Sequence, residues 1–242
     1  MKLVIYSLCK NEMSILPFVK DYWDRLKPEK VVAWDNGSDD GSIEFLSSIP
    51  YVEVKHFDTG GKLNDVMNAY IKNNCWKEDK GKYDYAIISD MDEVVFGDLE
   101  ALQGDIIGLP WYTLVNDSKP SYEEGKLLHE VTDKWVRHES YGKFLIFNIN
   151  KFDEINFSAG AHLINPIPNA EIASSDKAIV LHINGGFGAE YKVKKYHDGY
   201  KNFSDVNLKY RLGWHYNQPS EKIIEEYREM QKKAVSLKGL FK

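Results

Sequence analysis

Three acidic residues, Asp90, Asp92 and Glu93, follow an apolar run in the stretch YAIISDMDEVVF, which spans residues 85–96. Carboxylates this close together repel one another. A hard divalent cation such as Mn²⁺ or Mg²⁺ relieves the repulsion and prefers oxygen ligands. A cation held there also accepts charge that develops on a phosphate leaving group. The competing explanation is a solvated turn, since Asp is common in turns. Asp90 and Asp92 are therefore candidate ligands for a metal shared with substrate phosphates.

Two further polar clusters follow apolar runs. Asp35 is the first acid beyond the run KVVAW and is placed to accept hydrogen bonds from a base or a ribose. The Asn, Gly and Ser residues after it form a turn whatever the function. Asn11 and Glu12, in the cluster CKNE, are a second candidate pair, and capping of the next helix is the alternative explanation for them.

Two histidines and one lysine are weaker candidates. His182 follows the apolar run AIVL and precedes a pair of glycines, and His162 lies in SAGAHLI. A lone histidine in such a place is more often a satisfied core residue than a ligand. Lys143 starts a predicted strand, from which it reaches either a phosphate or solvent. The aromatic segment 210–217, YRLGWHYN, is either part of the core or a platform for a sugar ring.

Strand and helix patterns alternate over the first hundred residues. KLVIYSL, KVVAWDN, YVEVKHF and YDYAIISD are predicted strands, with helices between them, the first capped by Ser14. Nearly continuous apolar strands are typical of a parallel sheet covered on both faces. Ligands of such sheets bind beyond the carboxyl ends of the strands, where all three polar clusters lie. The predicted fold class is α/β, with a mostly parallel central sheet flanked by helices.

The pattern changes after Asp98. DIIGLPWYTLVN and GKFLIFNI are predicted strands, and shorter apolar pieces lie around AHLI and AIVLHI. Two helices are expected at the end, from Ala189 to Asn202 and from Ser220 to Leu237. Because the chain has no repeat and no evident linker, a single domain over residues 1–242 is the simpler expectation.

Composition excludes some partners. The chain has 31 basic and 37 acidic residues and a net charge of −6, which gives no broad basic field for nucleic acid. Its two cysteines cannot form a disulfide framework, which favours reduced thiols in a cytoplasmic protein. The apolar start of the chain is too short for a signal peptide or a membrane span, so at most peripheral membrane contact is expected.

Taken in order, the motifs Lys-Asn-Glu, Asp-Asn-Gly-Ser-x-Asp-Gly-Ser and Asp-x-Asp-Glu resemble those of GT-A glycosyltransferases, in particular family-two-like enzymes. YGKFLIF, SAGAH, the VLH strand end with its basic helix, and LGWHY are similar to a bacterial branch of that group. The resemblance implies a GT-A (Rossmann-like) fold with a nucleotide-binding half at 1–115. Residues 116–242 would form an acceptor-side half with C-terminal helices. The resemblance also implies a nucleotide-sugar donor, with a UDP-sugar favoured, a divalent metal, and a glycan or glycoconjugate acceptor.

The resemblance assigns roles to individual residues. The donor would lie near Lys10, Asn11, Glu12, Asp35 and Asn36, with Lys143 near the phosphates. Asp90 and Asp92 would hold the metal, Asp92 more directly, and His182 would complete its shell ahead of His162.

The expected late Glu-Asp pair, which carries the catalytic base in inverting enzymes, has no clear equivalent. His162 or Glu139 is the substitute, and inversion or retention at the anomeric centre stays open.

Three other functions compete with this one. In haloacid-dehalogenase-like phosphatases the first Asp of such a motif is a nucleophile and the second a general acid, but the motif there ends the first strand. Sugar-nucleotide cytidylyl- or uridylyltransferases have a Gly-rich, Arg-containing loop after the first strand, which SLCKNEMS lacks. A non-catalytic module that binds a nucleotide-sugar is the third alternative.

Overall fold

The computed structural model describes residues 1–138, 145–158, 169–183 and 185–241. Its strands are β1 (Leu3–Cys9), β2 (Lys30–Asp35), β3 (Val52–His56), β4 (Tyr85–Asp90), β5 (Glu93–Gly97), β6 (Ile106–Gly108), β7 (Trp111–Leu114), β8 (Trp135–Arg137), β9 (Ile146–Asn148), β10 (Ile172–Ser174) and β11 (Ala178–His182). Its α-helices are α1 (Leu16–Leu26), α2 (Ser42–Ser47), α3 (Asp65–Asn74), α4 (Leu128–Val131), α5 (Ala189–Lys201), α6 (Asp205–Tyr210) and α7 (Ser220–Lys232).

The central sheet has seven strands within the described residues, in the order β10-β6-β9-β4-β1-β2-β3. Strands β4, β1, β2 and β3 are parallel neighbours, as are β10 and β6. Strand β9 is antiparallel to both β4 and β6. Helices flank this mostly parallel sheet, which confirms the α/β class predicted from the sequence and expected of a GT-A fold.

Both faces of the central strands are buried, which explains why their sequences are nearly continuous apolar runs. Alternate residues of a strand point to opposite faces. Val4 of β1 and Ile88 of β4 accordingly join one apolar cluster, and Ile5 and Ile87 join another. The rigid double-sided core fixes the carboxyl ends of β1, β2 and β4 relative to one another.

A second sheet has the order β5-β11-β7-β8. The sequence patterns had missed β5, which starts at Glu93 immediately after the Asp-x-Asp. The prediction of a single strand over DIIGLPWYTLVN is wrong, because the chain leaves the central sheet after β6 and enters the second sheet at β7. Pro110 lies between β6 and β7. It has no N–H to donate to a neighbouring strand, and it restricts the backbone conformation of the residue before it.

The helix boundaries predicted from the sequence were partly right. Ser14 is not the N-cap of α1: the helix starts after Ile15, whose amide donates to the carbonyl of Glu12, and the Ser14 hydroxyl lies 3.1 Å from that of Tyr191. Helix α5 ends one residue before its predicted end, and α7 ends five residues before its predicted end.

The short apolar segment around AHLI lies outside the described residues. Within the described ranges, no helix is both long and apolar enough to cross a membrane.

Candidate functional site

The three polar clusters meet at one edge of the central sheet. The parallel register pairs Leu8 with Asp90 and Cys9 with Asp35. Beyond the strands, the amide of Met91 donates to the carbonyl of Leu8 over 3.0 Å. The sequence therefore predicted correctly that the three clusters lie at one edge of the sheet, because the carboxyl ends of neighbouring parallel strands lie side by side.

The loop after β1 is bound to the loop after β2. Asn11 has a left-handed backbone (φ 54°), and its side chain exchanges two hydrogen bonds with Asp39, of 2.8 and 2.9 Å. The ammonium of Lys10 donates to the carbonyl of Gly37, and the amide of Glu12 donates to the Ser42 hydroxyl over 3.0 Å. These contacts make the two loops one surface.

Asp35 lies beneath that surface. It is fully buried, and its carboxylate accepts hydrogen bonds from the amides of Gly37 (2.8 Å) and Ser38 (3.0 Å). Asn36 binds the turn at residues 59–62, since its amide group donates to the carbonyl of Lys62 and its oxygen accepts from Thr59. In this structure both side chains shape the loops, and their role at a base or ribose stays a prediction.

Asp90, at the end of β4, forms an ion pair with Lys72 of α3. The Lys72 ammonium lies 2.8 Å from Asp90 Oδ1 and is buried, whereas the carboxylate is partly exposed. The backbone amide of Asp90 donates to Glu93 Oε2 over 3.2 Å. Burial raises the pKa of the nearby Asp65 carboxyl, and the charge of Asp90 adds to that shift. The first aspartate of the motif is thus balanced by a lysine that the sequence analysis had not singled out.

Asp92 faces α5. Its Oδ2 lies 3.2 Å from the ammonium of Lys195, which also lies 3.3 Å from Oε1 of Glu12. Burial raises the pKa of Glu12 to about 7; Lys195 opposes the shift and Asp92 adds to it. Burial alone would lower the pKa of Lys195, but the two carboxylates raise it well above its ordinary value. One ammonium therefore joins the loop after β1 to the loop after β4.

His182 reaches the same place from the second sheet. Strand β11 runs antiparallel to β5 and pairs His182 with Glu93. Its Nε2 lies 3.8 Å from Asp92 Oδ1 and 3.9 Å from Glu93 Oε1. The ring also stacks at 5.5 Å on Trp111, and Trp111 stacks in turn on His138 at 3.7 Å. The strand pairing therefore places an imidazole beside the second aspartate of the motif.

Asp92 and Glu93 offer carboxylate oxygens, which suit a hard divalent cation, and His182 offers an imidazole nitrogen, which is a more usual ligand of transition metals than of Mg²⁺. Among the described residues, however, no three His, Cys, Asp or Glu side chains form a metal-binding group. A cation that keeps several waters and binds through one or two protein side chains plus phosphate oxygens needs no such group. The donors fit a metal that is completed by a substrate, rather than one enclosed by protein.

Three predicted site residues, Glu139, Lys143 and His162, lie outside the described residues. Both candidates for the catalytic base are among them, so their roles stay predictions. Asp92, to which the resemblance assigns the metal of the reaction, lies beside His182 and shares the ammonium of Lys195 with Glu12.

The sequence analysis missed the lysines that lie near the two aspartates. Lys192 and Lys195 lie one helical turn apart on α5, and burial lowers the pKa of Lys192 to about 8. The only signal was the basic run in EYKVKKYHDGY. The aromatic segment 210–217 is partly packed and partly exposed: Tyr216 packs on Tyr196 at 4.8 Å, whereas Trp214 is 56% exposed.

No protein-family model matches the chain, and no curated protein matches it significantly. Solved structures are similar at low identity. HddC from Yersinia pseudotuberculosis is 11% identical over 84% of this chain and 99% of its own, with a TM-score of 0.43. The galactosyltransferase LgtC, in complex with donor and acceptor sugar analogues, is 16% identical over 62% of this chain and 59% of its own (TM-score 0.29).

A Bacillus anthracis protein assigned as a glucose-1-phosphate thymidylyltransferase, in complex with sucrose, is 9% identical over 95% of this chain and 83% of its own, with a TM-score of 0.31. Similarities this low assign neither activity nor substrate. The class defined by fold and site is therefore an α/β protein with a mostly parallel sheet and a charged cluster beyond its strand ends.

Proposed function

We propose that this chain is a metal-dependent glycosyltransferase that moves a sugar from a nucleotide-sugar, with a UDP-sugar favoured, to a glycan or glycoconjugate acceptor. One observation carries the proposal. Asp92, in the short loop that leads from β4 of the central sheet to β5, and His182, at the end of β11 in the second sheet, lie 3.8 Å apart, beyond the strand ends where α/β sheets bind ligands. Neither the motif alone nor the histidine alone distinguishes a ligand site from a turn or a core residue.

Asp92 and His182 would hold Mn²⁺ or Mg²⁺ together with oxygens of the donor diphosphate. When bound, the cation neutralises charge on the leaving diphosphate. Asp90 would add a second carboxylate; its side chain is partly exposed and is oriented by the buried ammonium of Lys72. Because Lys72 already orients Asp90, this carboxylate would lose little freedom on binding a metal.

The nucleoside would lie on the surface formed by the loops after β1 and β2. Lys10 and Asn11 are on this surface, and their contacts with Gly37 and Asp39 hold it together. Asp35 and Asn36 support it from below. For the catalytic base we retain Glu139 and His162, and for a phosphate contact Lys143, as proposals from the sequence.

The phosphatase alternative gains no support. Its nucleophile would be Asp90, at the end of the fourth strand in the chain and not the first. Oδ1 of Asp90 is engaged by the ammonium of Lys72, which lies 2.8 Å away.

The direct test is Asp92→Asn, which removes the charge while keeping the shape. We expect the affinity for UDP in the presence of Mn²⁺ to fall about tenfold or more, measured by isothermal titration. Asp198→Asn is the matched control, because Asp198 is an exposed aspartate on α5 that pairs with Lys194. Circular dichroism would confirm that both variants fold.

The outcomes separate the alternatives. If Asp92→Asn binds UDP as the wild type does, the metal assignment is wrong. A wild-type protein that binds no uridine nucleotide with Mn²⁺ contradicts the UDP-sugar donor. Binding without release of UDP from any UDP-sugar, with or without acceptors, favours the non-catalytic module over the enzyme.

A further inference from the structure

Lys195 forms two ion pairs across the site. Its ammonium lies 3.2 Å from Asp92 Oδ2 and 3.3 Å from Glu12 Oε1, and so joins two carboxylates that come from different loops. All three side chains are largely shielded from water, since their exposed fractions are between 12% and 25%. Charges so shielded interact more strongly than charges at the surface.

The ammonium lies next to the place where a bound cation would act, since it holds Oδ2 of Asp92 while Oδ1 of the same carboxylate faces His182. A metal on Asp92 would lie within a few ångströms of Lys195, and two positive charges at that distance repel each other. Asp92 therefore cannot keep its full interaction with the lysine and also bind a divalent cation. When a cation binds Asp92, the ammonium of Lys195 still has the carboxylate of Glu12 as its partner.

We propose that Lys195 is an internal counter-ion that competes with the divalent cation for Asp92, so that the cation binds tightly only together with the donor diphosphate. The inference rests on the proposed function. The diphosphate carries negative charge that satisfies the cation and the displaced ammonium at once. Metal and nucleotide then bind cooperatively, and by linkage each raises the affinity of the other by the same factor.

This arrangement has a consequence for the free protein. Without nucleotide, Lys195 holds Asp92 and Glu12 together and keeps the loops after β1 and β4 in place. The protein then spends little of its time with a metal bound and no donor. Removing the ammonium should increase the affinity for the metal alone and decrease the cooperativity with nucleotide.

The experiment measures Mn²⁺ affinity by the electron paramagnetic resonance signal of free Mn²⁺, with and without UDP, in the wild type and in Lys195→Met. Methionine keeps much of the length of the side chain without its charge. We expect Mn²⁺ alone to bind about tenfold more tightly to Lys195→Met, and the gain in Mn²⁺ affinity caused by UDP to be smaller by a similar factor. Lys194→Met is the control, since Lys194 is the exposed neighbour on α5.

Lys195→Gln, which is neutral but polar, repeats the measurement in case the methionine variant fails to fold. If both variants fail, the ammonium is needed for the fold itself and the competition is rejected. Mn²⁺ affinity that is unchanged or lower in a folded variant, in a protein whose wild type shows Mn²⁺-dependent UDP binding, also overturns the inference. A wild type without Mn²⁺-dependent UDP binding refutes the proposed function instead, so the two failures are distinguishable.

Discussion

Lys72 and Asp90 form an ion pair of 2.8 Å whose members differ in exposure, because the lysine side chain is 4% exposed and the aspartate 38%. The two partners are therefore not equivalent. An ammonium buried without its partner cannot be hydrated, whereas a partly exposed carboxylate is solvated by water when the lysine is removed.

We expect Asp90→Ala to destabilise the protein by about 2 kcal/mol, since it leaves the buried Lys72 ammonium without this carboxylate. Lys72→Met should cost less, because it replaces the buried charge with an apolar chain of similar length. Urea denaturation measures both values. The double variant is the control and should be more stable than Asp90→Ala alone. Equal costs for the two single variants would contradict the asymmetry.

His129 should make stability depend on pH. It is buried with Nδ1 2.9 Å from the hydroxyl of Tyr22, and burial lowers its pKa while Glu130 raises it and Arg25 lowers it. The unfolded imidazole takes a proton near pH 6.5, and the folded one only at lower pH. The unfolded state thus binds more protons in that window, and the free energy of unfolding falls as the pH falls below about 6.5.

The measurement compares the wild type with His129→Gln in denaturant titrations between pH 5 and pH 8. The variant should lose part of the decrease in stability on the acid side, whatever its stability at pH 8. His138 and His215, whose pKa values are also lowered by burial, remain in both proteins and cancel in the comparison. Identical pH slopes would show that His129 contributes nothing.

Gly186 should tolerate no side chain. A Cβ there would lie 2.4 Å from the backbone oxygen of Leu114 in β7. Gly186→Ala should therefore destabilise by about 2–3 kcal/mol. Because the residue lies between His182 and α5, the variant should also weaken Mn²⁺-dependent UDP binding. Gly60→Ala is the control, since it meets open space and tests only the strain of a left-handed backbone (φ 66°).

Denaturant titrations measure both glycine variants, with UDP titration in parallel. The control should lose about 1 kcal/mol. A Gly186→Ala protein no less stable than Gly60→Ala would mean that the segment after β11 adjusts easily, and that it does not fix the distance between the second sheet and α5.

Asn11 contributes to stability through its side-chain hydrogen bonds and through its left-handed backbone, and two variants separate these contributions. Asn11→Gly loses the hydrogen bonds with Asp39 but keeps easy access to the left-handed backbone, whereas Asn11→Ala loses both. Thermal denaturation should place the alanine variant about 1 kcal/mol below the glycine variant. UDP affinity in the glycine variant tests the predicted nucleoside contact. An alanine variant as stable as the glycine one would refute the backbone effect.

The sequence by itself determined the edge of the sheet at which the candidate site lies. The strands ending at Cys9, Asp35 and Asp90 are nearly continuous apolar runs, and the residues after them are mostly polar turn formers. Both signals are local, since they depend on burial of one strand and on the conformation of one turn. The register of parallel strands then aligned the ends, which is why Asp35 and the Asp-x-Asp were predicted together.

Tertiary structure alone decided which charges face the aspartates. Lys195 is 103 residues from Asp92, and nothing in its own segment separates it from Lys194, which is exposed on the same helix. The second sheet was equally hidden, since β5 and β7 are short and follow the patterns of neighbouring strands. The physical reason is that a lysine acquires a partner through the packing of whole elements. Periodicity states which face of a helix is buried, but not what that face meets.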